Sequence, residues 1–533
     1  MRKKTALVVT SMLAVATFVV VSQGTAPGAG VKFPGAQFSG YSTGTNVHAD
    51  VLRTAAAGPV LADAEIATSG AALSSTGFAP NGIHNEENQA VVPTPGSPTS
   101  SVDSTGKESF GRGTGLEVGL GTNLPNDDLN QLILGGLAEA GAQPAQRSDG
   151  DPVVSATDTG DVDTTLATID QGDPLLYAQA LLGHARARFD ETQCLTDGNL
   201  SEGEGRAAKA QLVDTSSNAA TSDLDAPLVD VNSDFFGTPR AAADTQSFSY
   251  LVPNPDGTFG LTTETHMTFA PIGLLQTDPN SPPPIFVEIL GEWVFRATST
   301  GKPGGSSISY TVEGLSTDPD TPVIRIYLGA TKATDLPQIE IKRSQLFTDS
   351  GIVVDIPPGP GPKLLSLTVG EDPRAIADPN VAPDPTSDPT EATNGTLASG
   401  AADVIRISAL NAAPLDPNGP QVAGVRIGHV EAKAQVPADG IACPPPPPPA
   451  TTTTTSGATT TTAVGATTTT TAVGATTTTT SATEPTTTTT TAADNNVAAT
   501  TTTTAAADVQ GVQFTRSASP PAQAVTAQPR FTG

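Results

Sequence analysis

A serine flanked by glycines is the first place in this sequence where residue types and spacing could do chemistry. Residues 40–44 read GYSTG, which fits the G-x-S-x-G turn that presents a nucleophilic serine in α/β-hydrolases. That turn needs a buried strand before it and a helix after it. Here Pro34 interrupts the preceding stretch, and the following TNVHADVL favours a strand or a loop. We therefore expect Ser42 in a glycine-flanked bend between two β-segments, with no catalytic role.

The histidines and cysteines show no metal-binding spacing. No two histidines lie four residues apart, and two cysteines are too few for a cysteine-rich zinc site. We expect scattered surface or half-buried histidines, and we predict no catalytic residue and no metal or cofactor site among them. The five histidines are His48, His84, His184, His266 and His429.

Oxygen-bearing residues alternate in DVNSDFFG (230–237), as they do at the start of a calcium-binding EF-hand loop. Phe235 stands where that loop needs a glycine, and Ala241 stands where it needs a bidentate glutamate. A loose calcium site formed by Asp230, Asn232 and Asp234 is the one cofactor that the sequence leaves open. Solvated loop carboxylates are the alternative.

A second glycine-rich stretch, GRGTGLEVGLG (111–121), lacks the spacing of a dinucleotide-binding turn. Val118 stands where the third glycine is required, and no phosphate-binding lysine follows. Alternating glycines in a strand more often mark a bulge or a close approach of two backbones. The stretch therefore predicts a strand that another strand approaches closely.

The N-terminus has the layout of a secretory signal peptide. Arg2, Lys3 and Lys4 precede the apolar run at 6–21, and small residues follow it. We predict a signal peptide over 1–29, cleaved near Ala26; an uncleaved membrane anchor is the alternative. No second apolar run of that length exists, so we expect no transmembrane helix after cleavage.

Export bears on the two cysteines. An even pair in an exported chain indicates a disulfide, because the thiols meet an oxidising space. We predict a bond between Cys194 and Cys443, which would pin the end of the folded body to its middle.

The charge balance excludes some partners. Acidic residues outnumber basic ones by 54 to 26, which gives a formal net charge of −28. Nucleic acids and anionic lipids are bound by clustered lysine and arginine, so we expect neither as a partner. Only 15% of the residues are charged, against roughly 25% in an average domain. A polar but weakly charged surface is typical of secreted proteins.

Strand signals dominate the folded body, which we divide into a Gly/Ala-rich first part (30–220) and a β-rich second part (221–443). We predict a mainly β fold, an antiparallel sandwich with one or two short helices. The helix is expected at 126–141, where Leu129, Leu132 and Ile133 recur at helical spacing. A hairpin is expected at 246–269. The other predicted strands are 176–189, with one small-residue face and one basic face, 285–297, 306–314, 321–329, 337–347 and 363–370.

The sequence changes abruptly after Cys443. Six prolines at 444–449 and threonine blocks over 451–504 predict an extended Pro/Thr-rich stalk over 444–508, because burial cannot offset the cost of ordering it. Residues 509–533 have few hydrophobic side chains and no helical period. We expect a disordered C-terminal tail there.

Four stretches resemble a family of secreted actinobacterial proteins of uncharacterised function, the choice-of-anchor type, whose members share a body and differ in their C-terminal attachment. The stretches are FSGYSTGTNVHADVL (38–52), SFGRGTGLEVGLG (109–121), VGEDPRAI (369–376) and VRIGHVEAKAQVPADGIAC (425–443). The resemblance implies export and surface display, and it implies no catalytic residue. Its relatives are expected to end in a sorting motif, an apolar helix and a basic tail; QPRFTG (528–533) faintly resembles a sortase-type pentapeptide, and we expect no apolar helix after it.

Two functions follow as expectations. The first is a secreted or cell-surface structural or adhesion protein, a β-rich head on a flexible stalk, with cell-wall or extracellular polymers as its partners. The second is a secreted hydrolase that acts on wall polymers or glycans. An open pocket with convergent titratable groups would distinguish the hydrolase.

Overall fold

The computed structural model describes the folded body with gaps. The described residues are 37–53, 62–86, 89–97, 100, 102–120, 131–146, 152–155, 176–189, 198–214, 227–233, 240–276, 282–329, 335–348, 351–356, 365–376, 387–411 and 421–443. They belong to one compact unit, Met1–Thr451. The predicted signal peptide, stalk and C-terminal tail lie outside the described residues.

The described residues form strands almost throughout. The strands of the first half are β1 (Ser39–Arg53), β2 (Ala62–Ser74), β3 (Ile83–His84), β4 (Ala90–Val92), β5 (Ser109–Leu120), β6 (Gln131–Gly135), β7 (Ala138–Gln146), β8 (Pro152–Ser155), β9 (Leu176–Ala187), β10 (Ser201–Asp214), β11 (Pro227–Asn232), β12 (Ala243–Pro253) and β13 (Phe259–Thr268). The others are β14 (Ile272–Leu274), β15 (Ile285–Ile289), β16 (Glu292–Ser299), β17 (Ser306–Glu313), β18 (Pro322–Leu328), β19 (Ile339–Lys342), β20 (Ile352–Ile356), β21 (Leu365–Val369), β22 (Thr390–Glu391), β23 (Leu397–Ala402), β24 (Ile405–Asn411) and β25 (Gln421–Gln435).

Two antiparallel sheets contain nearly all of these strands, so the mainly β prediction is confirmed. Within the described ranges, the first sheet has the order β20-β21-β24-β25-β1-β2-β5-β7-β8, with β6 on β5, β23 on β25 and β22 on β23. The second has the order β17-β16-β13-β12-β10-β11-β14-β15-β18-β19, with β9 on β10. The short hairpin β3–β4 stands apart from both. Strands from both parts of the sequence occur in each sheet.

The apolar core lies between the two sheets, and alternation along the strands explains how it forms. In β16, Trp293, Phe295 and Ala297 are buried while Glu292 and Arg296 are half-buried. Successive side chains of a strand point to opposite faces, so a period of two separates the core from the polar residues of β16, although Val294 on the outer face is buried as well. Fully burying a large side chain such as Phe295 contributes about 1.5–3 kcal/mol.

Part of the contact between the sheets is made by glycine instead of large side chains. A Cβ atom on Gly111 would lie 2.0 Å from the carbonyl oxygen of Glu202, and one on Gly113 would lie 1.8 Å from that of Glu204. Both distances are far below contact, so β5 and β10 approach each other backbone to backbone. The close approach predicted for the glycine-rich stretch is confirmed.

The predicted helix at 126–141 is wrong over its described part. Residues 131–135 form β6 and 138–146 belong to β7, with Leu132 paired to Val118 of β5. Gly136 adopts φ +70°, a left-handed conformation that breaks a helix and turns the chain between the two strands. No α-helix occurs among the described residues, only a 3-10 turn at Arg343–Gln345.

The other predicted segments each contain a strand, but the 337–347 segment is a strand only at β19 (Ile339–Lys342) and continues into the 3-10 turn at Arg343–Gln345. The 285–297 segment is two strands, β15 and β16, separated by a turn at Gly291 with φ +79°. In β9, Gly183, Ala185 and Ala187 are buried while His184 and Arg186 are half-buried, as the small face and the basic face predict.

Candidate functional site

Ser42 lies in the middle of β1, so the predicted bend is wrong. It pairs with Ala71 of β2 on one side and with Ala432 of β25 on the other. Its side chain is fully buried, and its hydroxyl donates to the backbone oxygen of Phe248 at 3.0 Å. Flanking glycines here let the sheets approach each other, because a Cβ on Gly44 would meet side chains of the second sheet. This contact favours a structural role for Ser42.

The opposite face of β1 carries a cluster of buried charged groups. Because Ser42 and Gly44 face the second sheet, Tyr41, Thr43 and Thr45 face away from it. The segment that includes β3 and β4, which we call the covering segment, packs on this outer side through a small apolar cluster that joins Val91 and Val92 to Phe110. We call the charged groups the buried acid–histidine cluster: Tyr41, Glu86, Arg374, Asp403, His429 and Glu431.

His429 lies at the centre of the cluster with a carboxylate at each ring nitrogen. Its Nδ1 lies 2.8 Å from Oδ1 of Asp403, and its Nε2 lies 3.1 Å from Oε1 of Glu431. The Tyr41 hydroxyl donates to Oε2 of Glu431 at 3.2 Å, and the backbone N–H of Glu86 donates to Oε1. Both oxygens of Glu431 therefore accept hydrogen bonds inside the protein.

Arg374 bridges the carboxylates of Glu86 and Asp403. Its guanidinium lies 2.7 Å from Oε1 of Glu86 and 3.1 Å from Oδ2 of Asp403. Burial would raise the pKa of Asp403, but the positive charges of His429 and Arg374 hold it well below its usual range. Burial raises the pKa of Glu431, and burial beside Glu431 raises the pKa of Tyr41. The carboxylates of the cluster therefore lie beside the positively charged groups of Arg374 and His429.

Three members of the cluster have ligand atoms close enough for a metal ion. Ligand atoms of Glu86, His429 and Glu431 all lie within 4.8 Å of one another. The same carboxylates, however, already accept hydrogen bonds from Tyr41, from Arg374 and from a backbone N–H. In these contacts, groups of the protein itself balance the negative charge of the carboxylates.

A second group of charges lies on the outer face of the second sheet, at the surface. Ser247 contacts Ser69 of the first sheet at 2.8 Å, so its neighbours in β12 face outward. These outward side chains form one surface, which we call the polar face. Its members are His184, Arg186, Glu202, Glu204, Arg206, Asp244, Gln246, Phe248, Tyr250, Glu264, His266, Glu292 and Arg296.

Glu264 organises one half of the polar face. It accepts hydrogen bonds from the Tyr250 hydroxyl at 3.1 Å and from Nε of Arg296, and it lies 3.3 Å from Nε2 of His266. Nδ1 of His266 lies 2.8 Å from Oε1 of Glu292. The network therefore extends across three neighbouring strands of the second sheet, β12, β13 and β16.

The charges in this row shift one another's ionisation. Burial would lower the pKa of His266, but Glu264 and Glu292 raise it to about 9. Burial would raise the pKa of Glu264, but His266 and Arg296 lower it to about 2. Burial and the neighbouring Glu264 carboxylate raise the pKa of Tyr250. His266 is therefore an imidazolium at neutral pH.

Arg206 organises the other half of the polar face. Its guanidinium lies 2.7 Å from Glu204 and 2.7 Å from Asp244, and its side chain is 42% exposed. Burial and the charge of Asp244 raise the pKa of Glu204. The face thus presents charges of both signs held in position by their neighbours. Arg206, Glu292 and Arg296 have side chains 34–42% exposed, whereas Glu264 is largely covered.

The residues proposed for calcium and for the disulfide are only partly described. Asp230 and Asn232 lie in β11, whereas Asp234 lies outside the described residues, so the calcium site stays a prediction. Cys443 is half-buried at the end of the body, and Cys194 lies outside the described residues. The Cys194–Cys443 bond also stays a prediction.

No protein-family model matches the chain, and no curated protein matches it. Within the described ranges, no helix has the length and apolar character needed to cross a membrane.

Proposed function

We propose that this protein is a secreted or cell-surface adhesion module whose polar face binds a neutral, hydroxyl-rich polymer of the cell wall or the extracellular matrix. The observation that carries the proposal is the polar face itself. It holds carboxylates, guanidinium groups and a tyrosine in fixed positions, partly open to solvent. The signal-peptide pattern and the resemblance to surface proteins support the extracellular setting.

The chemistry of the face favours a neutral ligand. Its members include five carboxylates, three arginines and two histidines, so its charges come close to balance although the chain carries −28. Carboxylates and guanidinium groups that are already oriented by each other can donate to and accept from sugar hydroxyls. A strongly charged polymer would instead select a face with one sign of charge.

The buried acid–histidine cluster supports a non-enzymatic function. A general acid or base must come within hydrogen-bond reach of its substrate, and Asp403, His429 and Glu431 are at most 2% exposed. Their polar atoms bond to one another. The cluster is suited to holding the covering segment on the first sheet.

The hydrolase alternative draws support from one observation. Glu204 on the polar face has a raised pKa and lies beside the ion pair of Arg206 with Asp244. A carboxyl group with a raised pKa is what a general acid in glycoside cleavage requires. Both functions place the polymer on the same face, so a single assay can compare them.

The test is to incubate the purified mature protein with insoluble wall polysaccharide, then measure bound protein and released reducing ends. Adhesion predicts saturable retention of the protein with no increase in reducing ends above the buffer control. Sustained release that is lost in Glu204→Gln would support the hydrolase. Absence of retention on wall and matrix polysaccharides would contradict the proposal.

A further inference from the structure

A threonine and a glutamine that are far apart in the sequence meet in the interior beneath the covering segment. The hydroxyl of Thr45 in β1 lies 3.0 Å from Oε1 of Gln89, just before β4. Thr45 is fully buried and Gln89 is 3% exposed. A hydroxyl nucleophile is thereby held against a carboxamide with water excluded.

The carboxamide of Gln89 is held and polarised by Asn85. Nδ2 of Asn85 donates to the same Oε1 at 3.0 Å, and Oδ1 of Asn85 accepts from the backbone N–H of Gln89 at 2.8 Å. The backbone N–H of Asn85 donates to the Gln89 carbonyl at 3.0 Å. A fixed donor at an amide oxygen stabilises the negative charge that develops there when a nucleophile adds to the carbon.

A histidine that bonds to a carboxylate lies directly across the strand pair from Thr45. In the register of β1 and β25, Thr45 is the partner of His429. Directly opposite residues in antiparallel strands have Cβ atoms about 4.5–5.5 Å apart. The ring nitrogens of His429 are both held by carboxylates, Nδ1 by Asp403 at 2.8 Å and Nε2 by Glu431 at 3.1 Å, so the hydrogen-bonded pair of His429 and Glu431 can take up a proton and pass it on.

We propose that Thr45 and Gln89 join in an intramolecular ester bond, formed by the folded protein itself. The Thr45 hydroxyl oxygen attacks Cδ of Gln89, the new C–O bond forms, and the Cδ–Nε2 bond breaks. The hydroxyl proton passes through the hydrogen-bonded pair of His429 and Glu431 to the departing nitrogen, which leaves as ammonia. Atoms and charge balance without any oxidant, metal or other reactant.

The bond would have a mechanical consequence. Gln89 belongs to the segment that covers the outer side of the first sheet, and Thr45 belongs to the strand at the centre of that sheet. The ester would fasten the cover to β1 covalently. Burial would protect it from hydrolysis, because water has little access to the site.

The test is the intact mass of the full mature protein, measured after denaturation and reduction. We expect the mass calculated from the sequence less one ammonia. Trypsin should then yield one species that joins peptides 33–53 and 54–107, which hydroxylamine separates. Succinimide at Asn81-Gly82 also releases ammonia, but it joins no two peptides.

Three variants complete the experiment, and in two of them valine replaces a threonine of nearly the same shape. Thr45→Val should restore the full mass and remove the joined species, whereas Thr43→Val, on the same face of β1, should keep both. In folded His429→Gln, we expect a smaller cross-linked fraction. Wild-type protein at its full calculated mass, or a joined species that persists in Thr45→Val, would overturn the proposal; the wild-type measurement decides even where a variant does not fold.

Discussion

His266 is a side chain of the polar face whose charge couples pH to stability. Its pKa of about 9 in the folded protein lies above the ordinary 6.5, so the protonated form is favoured by folding. Its contribution to stability is complete below pH 6.5 and disappears as the pH rises through 9. Glu264 acts in the opposite direction, because its pKa falls from 4.5 to about 2, and its contribution is lost as the pH falls through 2.

We therefore predict that thermal stability falls as the pH rises from 6.5 to 9. The free energy of unfolding should decrease by about 1–2 kcal/mol over this interval, after allowance for screening at a partly exposed site. Differential scanning fluorimetry across the range measures the change. His266→Gln should be less stable at pH 6.5 and should lose most of the pH dependence. An equal decline in the variant would assign the effect to other groups.

Carboxylates and histidines two residues apart are the pattern from which the charged groups could have been predicted. Glu264 and His266 in β13, like His429 and Glu431 in β25, share a face because strand side chains alternate. Sequence reasoning tested the histidines against helical zinc spacing and so missed these pairs. Asp403 could not be found this way, because only the fold brings it to His429.

At the scale of elements, the glycines of β5 determine how closely the sheets pack. Gly113→Ala should place a methyl group against the backbone of Glu204, which cannot move without shifting β10. We predict a loss of more than about 3 kcal/mol of stability, or failure to fold. Urea denaturation measures the loss. In the control, Gly257→Ala, the added methyl group meets no atom within 4 Å. The only cost is that of placing alanine at φ +84°, about 1–2 kcal/mol. Equal losses in the two variants would contradict close backbone packing at Gly113.

Strand prediction succeeded where alternation was clear and failed where local preference opposed long-range pairing. The leucines and isoleucine at 129–137 have helical spacing, yet Leu132 and Ile133 pair with β5. A sheet partner satisfies the backbone groups of this segment, and Gly136 supplies the turn. The position of GYSTG inside β1 was missed for a similar reason. Glycines often mark a bend, but here their lack of a side chain leaves room for the second sheet to pack closely on β1.

At the scale of the whole molecule, the first long strand and the last lie side by side. β25 pairs with β1 along nearly its whole length and leads within a few residues to Cys443. Local sequence contains no information about this pairing. The predicted signal peptide and stalk depend on composition alone, which is why the sequence could suggest them without any fold.

The predicted disulfide belongs to this scale. A Cys194–Cys443 bond would close a loop of about 250 residues, for which chain entropy gives an upper estimate of roughly 5 kcal/mol. We expect a disulfide-linked peptide pair in a non-reducing digest, and a lower melting temperature after reduction. The double variant Cys194→Ser/Cys443→Ser should melt at the same temperature as the reduced protein. Detection of two free thiols in the native protein would contradict the predicted bond.

The central claim is that the polar face binds an uncharged extracellular polymer without cleaving it. The most direct measurement is a binding isotherm on purified wall polysaccharide for the wild type, Tyr250→Ala/Arg296→Ala and the control Lys342→Ala, which alters an exposed ion pair on β19. We predict at least about tenfold weaker binding for the double variant, since two contacts of roughly 1 kcal/mol or more are lost, and unchanged binding for the control. Equal affinity of all three proteins would contradict the claim.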